Sequence, residues 1–464
     1  MRILLIATAA ISLAGACIQG HANNDQKGGQ PSNAFLPGTF DSTKLINWVV
    51  RPGNAYYVRD SGDAIYLYIN VVSGDVKQEK PRTPLNVSLV LDRSGSMAGE
   101  KIEYARKAAR FLVDQLNDKD YLSIVNYDDL VEVTSESQPI KNKEYLRKRI
   151  DDITDRGSTN LSGGMLEGYT QVKSTKKEGY VNRVLLLTDG LANTGIVDPQ
   201  ELKKIVQKKY LEEGVALSTF GLGADYNEDL LTMLAETGRA NYYFIDSADK
   251  IPALFARELK GLLNVVAQNA LVQLDLPQGV KCEKVYGYPF EEKDGKLQIR
   301  FNDIYAKDEK AILIKLIRPK TTTENLSFTC KLQYTDANQL KDVKEEKSVI
   351  IKQTNNAGLY KEGEDKLVQE MLALFESTEE FDVIMAKVDD GDYERAKSEA
   401  AISLQKLEAK SKHYNSAKLE EQTVKMREYV KSIDSVQTMQ VEDRKIYQKS
   451  SKSKNYEVKK QKKF

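Results

Sequence analysis

Leu91-Asp92-Arg93-Ser94-Gly95-Ser96-Met97 is the stretch on which the reading of this chain turns. It follows an apolar run at 87–91, interrupted only by Ser88, which reads as a buried strand. It precedes Ile102, Ala105, Ala109, Leu112, Val113 and Leu116, spaced as one face of a helix. Asp92, Ser94 and Ser96 alternate at the C-terminal end of the strand, so their oxygens can converge on one point. Carboxylate and hydroxyl oxygens, with no sulfur or imidazole among them, suit a small hard cation. Serine and aspartate also open helices as caps, so these seven residues alone leave two readings, a metal site or a helix cap.

Two later segments favour the first. Arg156-Gly157-Ser158-Thr159-Asn160-Leu161 is a polar loop ahead of a helical pattern, and it offers the Thr159 hydroxyl. Leu185-Leu186-Leu187-Thr188-Asp189-Gly190 is a buried-strand run that ends in a carboxylate and a turn glycine. With these three parts in order, the chain resembles the von Willebrand factor type A domain. The metal-ion-dependent adhesion site of that family is written as D-x-S-x-S, then a threonine, then the aspartate of T-D-G. The resemblance implies that Ser94, Ser96 and Thr159 touch a divalent cation directly, while Asp92 and Asp189 act largely through water. It implies Mg²⁺ foremost, with Mn²⁺ or Ca²⁺ as alternatives. It also implies a protein partner whose Asp or Glu side chain completes the coordination. Met97, Asn160, Leu191, Ala192 and Asn193 would then form the rim.

The surrounding pattern fits a fold that builds such sites. Strand-like runs at 87–91, 121–127, 183–188, 216–222 and 242–245 alternate with helical patterns at 102–116, 161–172, 199–211, 227–236 and 250–262. A short run at 130–134 follows the Asp128-Asp129 turn and reads as an antiparallel edge strand. This alternation predicts an α/β domain over 85–263 with a doubly wound, mostly parallel, Rossmann-like sheet. Ligands on such sheets bind beyond the C-terminal strand ends, where the strand order reverses. Gly221-Leu222-Gly223 lacks the further glycine of a dinucleotide loop and reads as a tight turn.

The flanks are of a different kind. Runs at 270–276, 296–301, 311–317, 326–334 and 347–353, separated by turn residues, predict an antiparallel β-sandwich over 264–355. Two strands in 45–84 are expected to join it, one alternating Ile65, Leu67 and Ile69 against Tyr66, Tyr68 and Asn70 as a half-buried strand does. The type A domain would thus be an insertion. Bacterial calcium-activated chloride channel homologues and inter-alpha-trypsin inhibitor heavy chains look similar in setting a type A domain beside β-rich segments. No stretch after the first residues is long and apolar enough to span a bilayer, so a channel is not supported. Residues 356–446 read as three antiparallel helices with apolar stripes through Leu367, Met371, Leu374 and Phe375, then Tyr393 to Leu407, then Val424 to Ile433. The lysine-rich tail, 447–464, is expected to stay solvated.

Composition excludes several functions. Among 464 residues, 68 Lys and Arg balance 68 Asp and Glu, which gives no field for nucleic acid. The two histidines, His21 and His413, lie outside the Ser-containing domain, so neither a Ser-His-Asp triad nor a His-Cys zinc site can form there. Metal-assisted hydrolysis would need a general base, and the nearest carboxylates, Glu100 and Asp128, sit in no recognisable motif. The first 16 residues read as a signal peptide, with Arg2 ahead of an apolar core and Ala14-Gly15-Ala16 at its end. Cys17 follows as in a bacterial lipoprotein, so lipidation stands beside plain secretion, and a lipid anchor would be the one membrane contact. Residues 17–44 read as a polar tether. Cys282 and Cys330 are either a disulfide of an exported protein or two buried thiols. The expectation is a non-enzymatic binding or adhesion protein of the cell envelope. The alternative is an accessory subunit that docks through the same site onto an envelope enzyme, transporter or assembly complex.

Overall fold

The computed structural model describes residues 41, 44–59, 64–75, 82–301 and 303–460. The signal peptide, Cys17 and nearly all of the tether lie outside the described residues. The chain enters through β1 (Ile46–Pro52), β2 (Tyr56–Val58) and β3 (Ile65–Ser73). It then builds β4 (Leu85–Asp92), α1 (Glu100–Gln115), β5 (Tyr121–Tyr127), β6 (Val131–Pro139), α2 (Lys143–Asp151) and α3 (Leu161–Ser174). Next come β7 (Val181–Thr188), α4 (Pro199–Glu213), β8 (Ala216–Leu222), α5 (Glu228–Thr237), β9 (Tyr242–Ile245) and α6 (Ile251–Leu262).

β4 is buried along its whole length, as a strand with helices on both faces must be. Leu85, Val87, Leu89 and Leu91 pack towards α1, α2 and α6, while Val90 packs towards α3, α4 and α5. The sheet order is β6-β5-β4-β7-β8-β9, all parallel except the antiparallel edge strand β6. The chain winds outward from β4 through β5 to β6, then returns to β4's other side as β7. The order therefore reverses between β4 and β7, and a doubly wound sheet opens its ligand crevice at that point.

After α6 the chain runs directly into β10 (Val265–Asp275), then β11 (Lys281–Tyr286), β12 (Phe290–Lys293), β13 (Lys296–Arg300), β14 (Ile304–Tyr305), β15 (Glu309–Ile317), β16 (Leu326–Asp336) and β17 (Lys341–Thr354). Among the described residues these strands and the first three form two sheets, ordered β1-β3-β15-β11 and β12-β13-β10-β16-β17-β2, with β14 pairing on β10. Trp48, Leu67, Ile69, Ile312, Ile314, Phe328 and Leu332 fill the space between them. Thus β3 and β10, the strands on either side of the type A segment in sequence, both belong to the sandwich. Cys282 and Cys330 lie on strands of different sheets, and both thiols are free. The disulfide alternative thus gives way to two free thiols, Cys330 buried and Cys282 half-buried, and burial pushes each up to about 12.

The expected half-buried strand is in fact covered on both sides. Tyr68 of β3 is buried against a third core, formed with Leu313 by the helices that follow. These are α7 (Ala357–Glu362), α8 (Lys366–Asp389), α9 (Tyr393–Tyr414), α10 (Ala417–Thr438) and α11 (Val441–Lys459). Met371, Leu374 and Phe375 of α8 are buried as their stripe predicts, whereas Leu367 and Val424 are exposed. The lysine-rich tail is corrected through Lys459, where it is helix and packed. Its inward residues are amides. Gln448 accepts from the Tyr429 hydroxyl at 2.7 Å and donates to Asp389 at 2.9 Å, while Asn455 donates to the Thr378 carbonyl at 2.7 Å. Its lysines meet carboxylates, Lys459 with Asp382 at 3.0 Å and Lys460 with Glu236 of α5 at 2.7 Å. No helix among the described residues is long and apolar enough to cross a membrane.

Candidate metal site

Three loops meet where the strand order reverses, and main-chain hydrogen bonds join them. The Gly95 N–H donates to the Gly157 carbonyl at 3.0 Å, and the Arg156 N–H to the Arg93 carbonyl at 2.7 Å. The Thr159 carbonyl accepts from the N–H groups of Asn193 and Thr194, at 3.1 and 3.3 Å. Asn160 caps α3 by accepting from the Gly163 N–H at 2.9 Å, which fixes the residue after Thr159. The loops after β4 and β7 and the loop before α3 are therefore set by backbone, independently of any ligand.

Their side chains converge. Ser94 Oγ and Ser96 Oγ lie 3.1 Å apart, and Ser96 Oγ donates to Asp189 Oδ1 at 2.7 Å. Asp92 Oδ1 accepts the Ser94 N–H at 2.9 Å. Asp92 Oδ2 accepts the Thr188 hydroxyl at 2.6 Å, with the Tyr127 hydroxyl 3.4 Å from the same oxygen. Thr159 is buried as a residue. It faces Ser96 across Gly190: a Cβ at that glycine would stand 3.3 Å from Thr159 Oγ1 and 3.8 Å from Ser96 Oγ. All five residues singled out in the sequence are thus brought together.

The electrostatics leave room for a cation. Asp92 and Asp189 are both buried, and one ammonium answers them, Lys101 Nζ at 2.6 Å from Asp189 Oδ2. Burial pushes the Asp92 carboxyl up to about 6, and the nearby Asp189 adds to the rise. The hydrogen bonds from Thr188 and Ser94 only partly offset it. A carboxyl so raised lacks a compensating positive charge. Among the described residues no three His, Cys, Asp or Glu side chains gather as a metal cluster, so hydroxyls would have to supply the contacts here. Three hydroxyls backed by two carboxylates fit a small oxygen-seeking ion and suit neither zinc nor copper.

The rim differs in part from expectation. Met97 is fully buried in the core beneath the loop, which follows from its place in the short turn Gly95–Met97 that leads into α1. Leu191 and Asn193 are exposed, Ala192 is half-buried, and Asn160 is occupied as a cap. Leu130, at the β5–β6 turn, is exposed as well. Asp128 is no free base. Burial works to raise its carboxyl, but hydrogen bonds from Arg156, the Leu130 N–H and Arg93 hold it below the usual range. Arg156 itself is 54% exposed. Sequence reasoning missed Thr188, Tyr127 and Lys101 as members of the cluster. Thr188 stood beside Asp189 in T-D-G, whereas nothing local marked Tyr127 or Lys101.

Fold and loops together define an α/β domain with a cation-compatible oxygen cluster at its switch point. Residues 86–257 match the model of the von Willebrand factor type A domain family, and this segment is a von Willebrand factor type A domain. The chain is similar to the uncharacterized protein YfbK of Escherichia coli (strain K12), 32% identical over 225 residues, 48% of this chain and 39% of that one. It is similar to inter-alpha-trypsin inhibitor heavy chain H3 of Mesocricetus auratus, 30% identical over 260 residues, 53% of this chain and 27% of that one. The chain thus spans well under two thirds of these relatives. Among solved structures, a von Willebrand factor type A protein from Catenulispora acidiphila aligns over 85% of this chain and 91% of its own, with a TM-score of 0.67 at 13% identity. The ArnB paralog VWA2 from Sulfolobus acidocaldarius covers 89% of this chain and 98% of its own, at TM-score 0.60 and 16% identity. The shared fold therefore extends beyond the type A domain. Such domains commonly mediate protein–protein interaction.

Proposed function

We propose that this protein binds an acidic side chain of a partner protein, without turnover, through a divalent cation held by Ser94, Ser96, Thr159, Asp92 and Asp189. The observation that carries the reading is the convergence of the Ser94, Ser96 and Thr159 hydroxyls around Gly190, beside the two buried carboxylates Asp92 and Asp189. The three hydroxyls would touch the ion, and the two carboxylates would supply charge behind it. The ion itself supplies an electrophilic centre for one further oxygen ligand, because neutral hydroxyls leave its charge largely unquenched. Mg²⁺ is the ion proposed. Thr188, Tyr127 and the Ser94 N–H orient Asp92. Leu191 and Leu130 offer apolar contact around the polar centre. The N-terminal sequence supports placing this activity in a bacterial cell envelope.

The test is thermal melting in EDTA, Mg²⁺, Mn²⁺ and Ca²⁺, beside an Asp92→Ala/Ser94→Ala variant. An ion that binds the folded state raises the melting temperature by mass action. The wild type alone is expected to respond, and a response of equal size in the variant overturns the reading. Proteins captured from an envelope fraction in Mg²⁺ are expected to be released by EDTA; retention in EDTA counts against the ion-mediated contact.

A further inference from the structure

Lys101 stands in an odd place for a lysine. It is the second residue of α1, where the helix dipole disfavours a cation, and its neighbours Glu100 and Glu103 are the acidic residues that such a turn prefers. Its ammonium reaches Asp189 Oδ2 at 2.6 Å, while Ser96 takes Oδ1, so both oxygens of this buried carboxylate are engaged by the chain itself. The ammonium has three donors and no lone pair to give a metal. It can satisfy Asp189 in place of a cation, and it cannot share a cation with it. The lysine side chain is 38% exposed on a flexible stem, so it can leave for solvent.

We propose that Lys101 is a built-in competitor for the divalent cation. Its ammonium neutralises Asp189 when the ion is absent, and it opposes the ion's entry by like charge. It thereby sets the cation affinity of the site low enough for an incoming acidic ligand to matter to occupancy. This rests on the reading of the site given above.

The experiment is Mn²⁺ titration of the full chain, with free Mn²⁺ read by its paramagnetic resonance signal. It compares wild type with Lys101→Met, Lys101→Gln, Lys101→Arg and Lys107→Met. Lys107 lies on the same helix with its ammonium over the Tyr104 ring, so its loss removes equal charge without touching the site. Lys101→Met is expected to tighten Mn²⁺ binding about tenfold, the order that one partly screened charge at short range can supply. Lys101→Gln keeps a donor for Asp189, so it should tighten binding too even if the methionine variant folds poorly. Lys101→Arg and Lys107→Met should stay within about threefold of wild type. Unchanged or weaker binding in both neutral Lys101 variants, with wild type still binding, overturns the competitor and leaves the metal site standing. No Mn²⁺ binding in any of the five proteins overturns the metal site itself. Binding that emerges only in the neutral Lys101 variants supports the proposal.

Discussion

The Thr188 hydroxyl donates to Asp92 Oδ2 at 2.6 Å, which ties the end of β7 to the end of β4 across the point where the strand order reverses. The other oxygen of Asp92 accepts the Ser94 N–H at 2.9 Å. The carboxylate is therefore fixed by one strand end and by its own loop before any ligand arrives. Such preorganisation lets a binding site spend little free energy on ordering itself.

Thr188→Val keeps the side-chain shape and removes this donor. A buried carboxylate left short of one hydrogen bond should cost ~1–3 kcal/mol, measured by urea unfolding in EDTA. Thr188→Ser should recover most of the loss. A valine variant as stable as wild type would show that Asp92 does not depend on the cross-strand bond.

Gly190→Ala places a methyl 3.3 Å from Thr159 Oγ1, in the space that Thr159 and Ser96 share. The added methyl should change EDTA-state stability by less than about 1 kcal/mol, as a small surface-loop substitution does. The Mg²⁺-dependent rise in melting temperature should vanish. A rise of wild-type size would place the ion elsewhere.

Glu228 opens α5 and meets α11, where Lys452 lies 3.7 Å away and the Tyr242 hydroxyl 3.3 Å away. Burial pushes this carboxyl up from 4.5 to about 7, against the pull of Lys452 and Lys449. Between those values the folded chain holds the proton and the unfolded chain releases it. Stability from this group is thus fully present below about 4.5 and is lost as pH rises through about 7. The span corresponds to at most ~3 kcal/mol. Glu228→Gln should flatten the decline in unfolding free energy between about pH 4.5 and pH 7. An unchanged slope would assign the pH dependence to other groups.

Arg183 of β7 is fully buried and pairs with Asp303 at 2.7 Å. Glu258 of α6, which accepts from Asn241 and Tyr243 at 2.8 Å each, lies 3.9 Å from the same guanidinium. This network joins the type A domain to the segment ahead of β14. Asp303→Ala leaves a buried guanidinium short of its nearest partner and should cost ~3–5 kcal/mol in chemical denaturation. A loss below about 1 kcal/mol would show that Glu258 suffices alone.

The legible parts of the sequence are those where burial is written in apolar residues. β4 and β7 are predominantly hydrophobic towards their C-terminal ends because helices cover both their faces, and Asp92 and Asp189 stand out where those runs stop. α2 went unread because Leu146 and Ile150 are the apolar anchors of an otherwise charged and polar segment. α11 was misread as a solvated tail because Gln448 and Asn455 do the work that leucines do in α8, and hydropathy does not distinguish a buried amide from a wet one. Tyr68 misled in the opposite sense, since a tyrosine alternating with leucines looks like a solvent-facing position until a helix lies over it. The five residues of the candidate site were readable from their order along the chain. Lys101 was not, because its partner Asp189 lies far away in sequence and meets it only through the winding of the sheet.

Both ends of the type A domain continue into the sandwich, through β3 and β10, and α11 with the residue after it grips the far edge through Lys449 and Lys460. A load applied at the cation loops would therefore divide among two covalent tethers and one helical brace working in parallel. Domains strung end to end peel apart one contact at a time. Here a pull at the ends of β4 and β7 would be carried by the sandwich strands and the brace together, rather than by any one contact alone.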